Sequence, residues 1–150
     1  MLFRSLEILG HAPQYLFLKV FRRQKSAVRM LSNAHYRYNC RELNLFVKQN
    51  ILPLPALYIP QILLFVKKNP QYLVHSLQTH EYNTRNKNLY APLKHNTTAY
   101  EKGPLYTGQK LFNNLPSHIR NEKSIPLFKK LVRNFLFAKK VYCIDDMYKM

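Results

Sequence analysis

Two adjacent aspartates (Asp145 and Asp146), six histidines and two cysteines are the residues of this 150-residue chain best suited to chemistry. Paired carboxylates can hold divalent metals for phosphoryl transfer. Two-metal catalysis, however, needs carboxylates that converge from rigid elements. No third acid has a clear claim to join this pair, and it reads as an acidic turn in the tail YCIDDMYKM. His75 and His80 are five positions apart, as are His35 and Cys40, and neither spacing is a zinc-ligand pattern. A Ser, Cys or Lys nucleophile needs a paired base, and no triad signature is present. Three scattered glycines form neither a phosphate-binding loop nor a dinucleotide fingerprint. The sequence therefore predicts no catalytic centre, metal site or cofactor in this chain.

The positive signal is cationic. The chain carries 24 Lys+Arg against 7 Asp+Glu, a formal net charge of +17. Between Glu7 and Glu42 stand Lys19, Arg22, Arg23, Lys25, Arg29, Arg37 and Arg41, with no acid among them. Between Glu122 and Asp145 stand Lys123, Lys129, Lys130, Arg133, Lys139 and Lys140. Self-repulsion on this scale destabilises a compact state unless a polyanion screens it, and nucleic acid is the commonest such partner. A solvated basic face is the plainer alternative, and a membrane-surface helix is a third. Tyr36, Tyr38, Tyr82 and Tyr90 lie near Arg37, Arg41, Arg85 and Lys87, an interleaving that suits unpaired bases.

These cations need elements to position them. Apolar residues make up 47% of the chain, enough for a core, while three Gly and nine Pro predict helices with hard stops. Residues 14–32 form the strongest helix. Phe17, Val20, Phe21, Gln24, Ala27, Val28 and Leu31 share one side, Lys19, Arg22, Arg23, Ser26 and Arg29 the other. A short helix is expected from about Arg41 to Gln49, with Leu43, Phe46 and Val47 inward and the prolines of residues 52–55 ending it. Residues 55–68 form a buried helix that either starts near Pro60 or bends there. From Asn69 to Lys102 the pattern fades into an irregular segment. Order returns in residues 104–116, with Leu105, Gly108, Leu111, Phe112 and Leu115 on one face. The last helix spans 124–140, with Ser124 as its cap and Ile125, Phe128, Leu131, Val132, Phe135 and Leu136 as its apolar stripe.

The divisions are thus residues 1–50 (a basic helical segment), 51–68 (an apolar helix), 69–102 (an irregular linker) and 103–150 (a C-terminal helical segment). The longest apolar run, Ile51 to Val66, is short of the ~20 residues a spanning helix needs, so no membrane is expected. Glu7 interrupts any secretory leader, and the unmatched Cys40 and Cys143 suit a reducing compartment. An intracellular protein of nucleus or cytoplasm, not a secreted one, is the expectation.

Five phrases follow one another in a characteristic order: VFRRQKSAVRML (20–31), ILPLPALYI with LLFVKKN (51–69), HEYNTRNK (80–87), GPLYTGQKLFNNLPSHIR (103–120) and FKKLVRNFL (128–136). Together they resemble the region after the polymerase palm in jockey-like non-LTR retrotransposon reverse transcriptases, from about Leu9 to Tyr148. That resemblance implies a parent RNA-directed DNA polymerase using Mg at palm carboxylates in an F/Y-A-D-D type motif. The motif is absent here, and Asp145-Asp146 has the wrong neighbours. The Cys/His knuckle of some related elements is absent too, so no zinc is implied. What is implied is a mainly α, thumb-like helical bundle with a long irregular middle, incompletely folded without its palm and fingers. It is non-catalytic alone and keeps affinity for an RNA–DNA hybrid or RNA. The basic faces of the two helices predict the contacts: Lys19, Arg22, Arg23, Lys25 and Arg29, then Lys129, Lys130 and Arg133. A domesticated or incidental basic nucleic-acid-binding protein, and a relic without a selected function, are the alternatives.

Overall fold

Apolar residues recurring every three or four positions fold this chain into helices. A computed structural model describes residues 14–42, 44–73, 89–91, 97, 100 and 103–148. Among them lie six α-helices: α1 (Gln14–Leu31), α2 (Leu45–Lys48), α3 (Leu54–Lys68), α4 (Pro104–Asn113), α5 (Ser117–Arg120) and α6 (Ile125–Ala138). Two 3-10 turns sit at Pro70–Tyr72 and Ile144–Met147. No β-strand occurs among the described residues, and the protein is mainly α. No helix among them is long and apolar enough to cross a membrane.

α3 is the central element. Ala56, Ile59, Ile62, Leu63 and Val66 are fully buried along it. The helix runs without interruption from Leu54 through Pro60 to Lys68. Pro60 has no N–H to give the Ala56 carbonyl, a loss worth about 3 kcal/mol in a helix interior. Each fully buried Ile or Leu side chain contributes about 1.5–3 kcal/mol, so the burial of α3 outweighs the defect. Gly108 of α4 marks the closest approach to it. A Cβ there would lie 2.7 Å from both Ile62 Cγ2 and Val66 Cγ2. Those methyls belong to stiff β-branched side chains, so the helices could not stay this close around a larger residue.

α6 adds Phe128, Val132 and Leu136 to the same core, which Leu111, Leu115, Ile119 and Met147 complete. Lys67 ties α3 to α5: its Nζ donates to the Arg120 carbonyl at 2.6 Å and lies over the rings of Phe112 and Phe128. Burial lowers the Lys67 pKa, with Glu122 pulling it partly back. A second, smaller core joins Phe21 and Val28 of α1 to Cys40, Leu45, Phe46 and Leu54. Leu57 packs against both cores.

The structure corrects several expectations. The helix expected over 41–49 is the single turn α2, because Asn44 is left-handed (φ 49°) and the helix starts only after it. Leu45 and Phe46 point inward, whereas Val47 is exposed; Leu43 lies outside the described residues. The prolines do not end α2. Asn50, at φ 54°, turns the chain first, and Pro53 and Pro55 open α3 instead. α5 was not anticipated. Of the stretch 69–102, the described residues include the 3-10 turn, buried Leu73 and buried Tyr90. The expectations for His75, His80, Tyr82, Arg85 and Lys87 fall outside the described residues. Ser124 occupies the cap position of α6 but makes no side-chain cap bond; its N–H is held by the Glu122 carboxylate.

Candidate nucleic-acid interface

α1 carries the first cationic set, and its sequence gives the helix three sides, not two. Phe17, Phe21, Gln24, Lys25 and Val28 face the protein. Val20, Ala27 and Leu31, expected inward, are exposed. Only a stripe about two residues wide meets the second core, so the rest of the apolar side has nothing to pack on among the described residues. With Leu16 and Met30, also exposed, it forms an apolar strip beside the cations.

The cationic side is Lys19, Arg22, Arg23 and Arg29, with Ser26 between them. At 1.5 Å rise per residue the row from Lys19 to Arg29 spans about 15 Å. Lys19, Arg22 and Arg23 are exposed and make no hydrogen bond or ion pair among the described residues. The other two α1 cations have local work. Arg29 Nε donates to the Tyr38 carbonyl at 3.0 Å, which holds the turn after the helix. Lys25 lies over the Phe21 ring at 4.9 Å and is half-buried. The structure therefore separates three free cations from two that also shape the fold.

Lys129, Lys130 and Arg133 are exposed on α6. Arg133 donates to the Asn50 carbonyl at 3.2 Å and covers the Phe137 ring at 5.5 Å. The two sets are not fused into one row. Between them runs the segment from Asn50 to Leu54, gripped from both sides. Gln24 of α1 donates to the Leu52 carbonyl at 3.0 Å and accepts from the Leu54 N–H at 2.7 Å. Leu54 opens α3, so Gln24 caps that helix from a distance of thirty residues.

The acidic turn has a structural role. The Asp146 carboxylate accepts from the N–H groups of Tyr142 and Cys143 and pairs with Arg41 at 2.7 Å. Burial alone would raise its pKa, but those donors and the Cys143 thiol outweigh it and hold the carboxyl below its ordinary value. This is the one ion pair among the described residues. No group of three metal-ligating residues occurs among them, and both cysteines are free thiols. Tyr36 and Tyr38 are exposed, and Arg37 is bonded to the Tyr36 hydroxyl at 2.7 Å.

Sequence reasoning missed Arg41 and Asp146 as partners, 105 positions apart. It placed Gln24 on the apolar side, and a lone amide there was the available signal for a cross-helix cap. No family model, curated protein or solved structure matches the chain.

Proposed function

We propose that the protein binds nucleic-acid backbone through the cationic side of α1, as a non-catalytic, thumb-like segment of an RNA-directed DNA polymerase that lies after the palm. The observation that carries the reading is the row Lys19, Arg22 and Arg23: exposed, unpaired among the described residues, and mounted on a helix anchored by Phe21 and Val28. Cations held on a rigid element and not neutralised by the protein release counterions when they meet phosphates, which gives affinity without sequence preference. The order of phrases that resembles jockey-like elements supports the parent class. The exposed strip of Leu16, Val20 and Leu31 is the side that would meet the palm or fingers in that parent.

Binding of a labelled RNA–DNA hybrid, measured across salt concentrations, tests this. Lys19→Glu, Arg22→Glu and Arg23→Glu together should weaken binding and flatten the salt slope by about two to three in log–log terms. Arg29 is left intact because it holds the Tyr38 carbonyl. Unchanged affinity and slope would remove α1 from the interface.

A further inference from the structure

Between residues 40–53 and the C-terminal end of α6 lies an open cleft of about 260 Å³. Phe46, Ile51, Phe137 and Tyr142 line it, with Arg41 and Lys140 among its polar residues. We propose that this cleft takes one unpaired nucleobase, with the attached phosphate on Lys140. The ligand class rests on the nucleic-acid reading above; the site is separate from α1.

Three observations converge on that occupant. Aromatic side chains make up part of the wall. Phe137 and Tyr142 are both half-buried, so each keeps some surface open to solvent. Each has an arginine over it, Arg133 at 5.5 Å from the Phe137 centroid and Arg41 at 5.5 Å from that of Tyr142. Rings and guanidinium planes are the surfaces on which unpaired bases stack. The charge at the rim has the right sign. Arg41 is committed to Asp146, while Lys140 is exposed and has no partner among the described residues.

The backbone at Lys140 is the third observation. Lys140 follows the end of α6 at φ 50°. Its N–H bonds the Phe137 carbonyl, and the Val141 N–H bonds the Leu136 carbonyl, both at 3.0 Å. This is the left-handed helix-end position that glycine usually fills. Lysine there is a conformational cost of the kind that persists where a side chain is needed. The turn sets Lys140 beside Phe137 and Tyr142 at the cleft.

The volume is enough for one base. The cleft lies just below the usual range for small-molecule sites. Its position at the C-terminal end of α6, the helix that carries Lys129, Lys130 and Arg133, suits a strand end whose backbone is held beside it, so the unpaired end of a hybrid is the expected substrate.

The test is an NMR titration of the whole chain with AMP. Shifts are expected at Asn44, Ile51, Lys140 and Tyr142, with inorganic phosphate failing to reproduce them at equal concentration. Lys140→Gly relieves the left-handed strain, so it should fold at least as stably as the parent chain while AMP affinity falls about tenfold. Phe137→Leu keeps an apolar wall without the ring and should lower AMP affinity by about fivefold or more. A hybrid with an unpaired end should bind more tightly than a blunt one, and Lys140→Gly should erase that preference.

AMP that leaves the cleft amides unmoved would overturn the proposal. So would equal shifts from inorganic phosphate, or undiminished AMP affinity in Lys140→Gly. The two readings fail separately. If the α1 charge reversals spare hybrid binding but AMP still binds, only α1 loses its role. If AMP fails while those reversals abolish hybrid binding, only the cleft does.

Discussion

α1 and α3 are the two longest helices described, and they solve opposite problems. α3 is apolar nearly all round, keeps its charges at Lys67 and Lys68 in the last turn, and buries nine of its residues. α1 buries Phe21 and Val28 and leaves Leu16, Val20, Met30 and Leu31 exposed. The difference shows where a basic chain can place its charge. A helix surrounded by protein cannot carry exposed cations, so they gather on the helix that meets the core along one narrow stripe. α3 can tolerate Pro60 because packing supplies its stability. α1 has no such reserve and depends on a few anchors.

The sharpest way to break this contrast is to damage the core of α3. Phe128 is fully buried against it. Phe128→Ala should cost about 3–5 kcal/mol by chemical denaturation, enough to unfold much of the population of a marginally stable domain. If the loss were below about 1 kcal/mol, the larger core would not be the source of stability.

Gln24→Ala tests the anchor between the two helices. It strips the cap from the Leu54 N–H and leaves the Leu52 carbonyl without its donor. A loss of about 1–3 kcal/mol is expected, with hydrogen exchange quickening in α1 before α3. Equal quickening in both would show that α1 is no separate layer.

Asp146→Asn is a smaller perturbation, about 1–2 kcal/mol, drawn mostly from the bonds of its carboxylate to the Tyr142 and Cys143 N–H groups. Arg41 is 56% exposed, so the ion pair itself adds less. The native pKa of Asp146 is depressed. Its contribution is therefore complete above the ordinary carboxylate value, near 4, and is lost as pH falls through the lower native value. Urea midpoints of the parent and of Asp146→Asn should differ at neutral pH and converge in strong acid. A constant gap at every pH would assign the stability to something other than the charge.

The least effect on folding belongs to Lys19, Arg22 and Arg23. Reversing all three should change stability by less than about 0.5 kcal/mol, or raise it slightly by relieving self-repulsion. A large thermal destabilisation would mean that the cationic side is packed, and α1 would then resemble α3.

Much of this contrast was legible beforehand. The apolar stripe of α6 is in place as spaced: Phe128, Val132 and Leu136 are buried, with Ile125, Leu131 and Phe135 packed beside them. In α1, periodicity identified the helix and its cations but overestimated the width of the inward side. Val20, Ala27 and Leu31 satisfy the helical spacing as well as Phe21 and Val28 do, and only the available partner surface decides among them. The contacts of Gln24, Arg41 and Asp146 were not legible, because each partner is distant in sequence and local spacing carries no information about it.

The sequence by itself determined that this is a helical protein with strongly segregated charge, since helix periodicity, proline stops and net charge are local or additive properties of the chain. Tertiary structure decided which cations stay free, that Pro60 could remain inside α3, and that Lys140 stands at the cleft beside Phe137 and Tyr142. Those outcomes depend on which surfaces meet, and that follows from packing the whole chain at once.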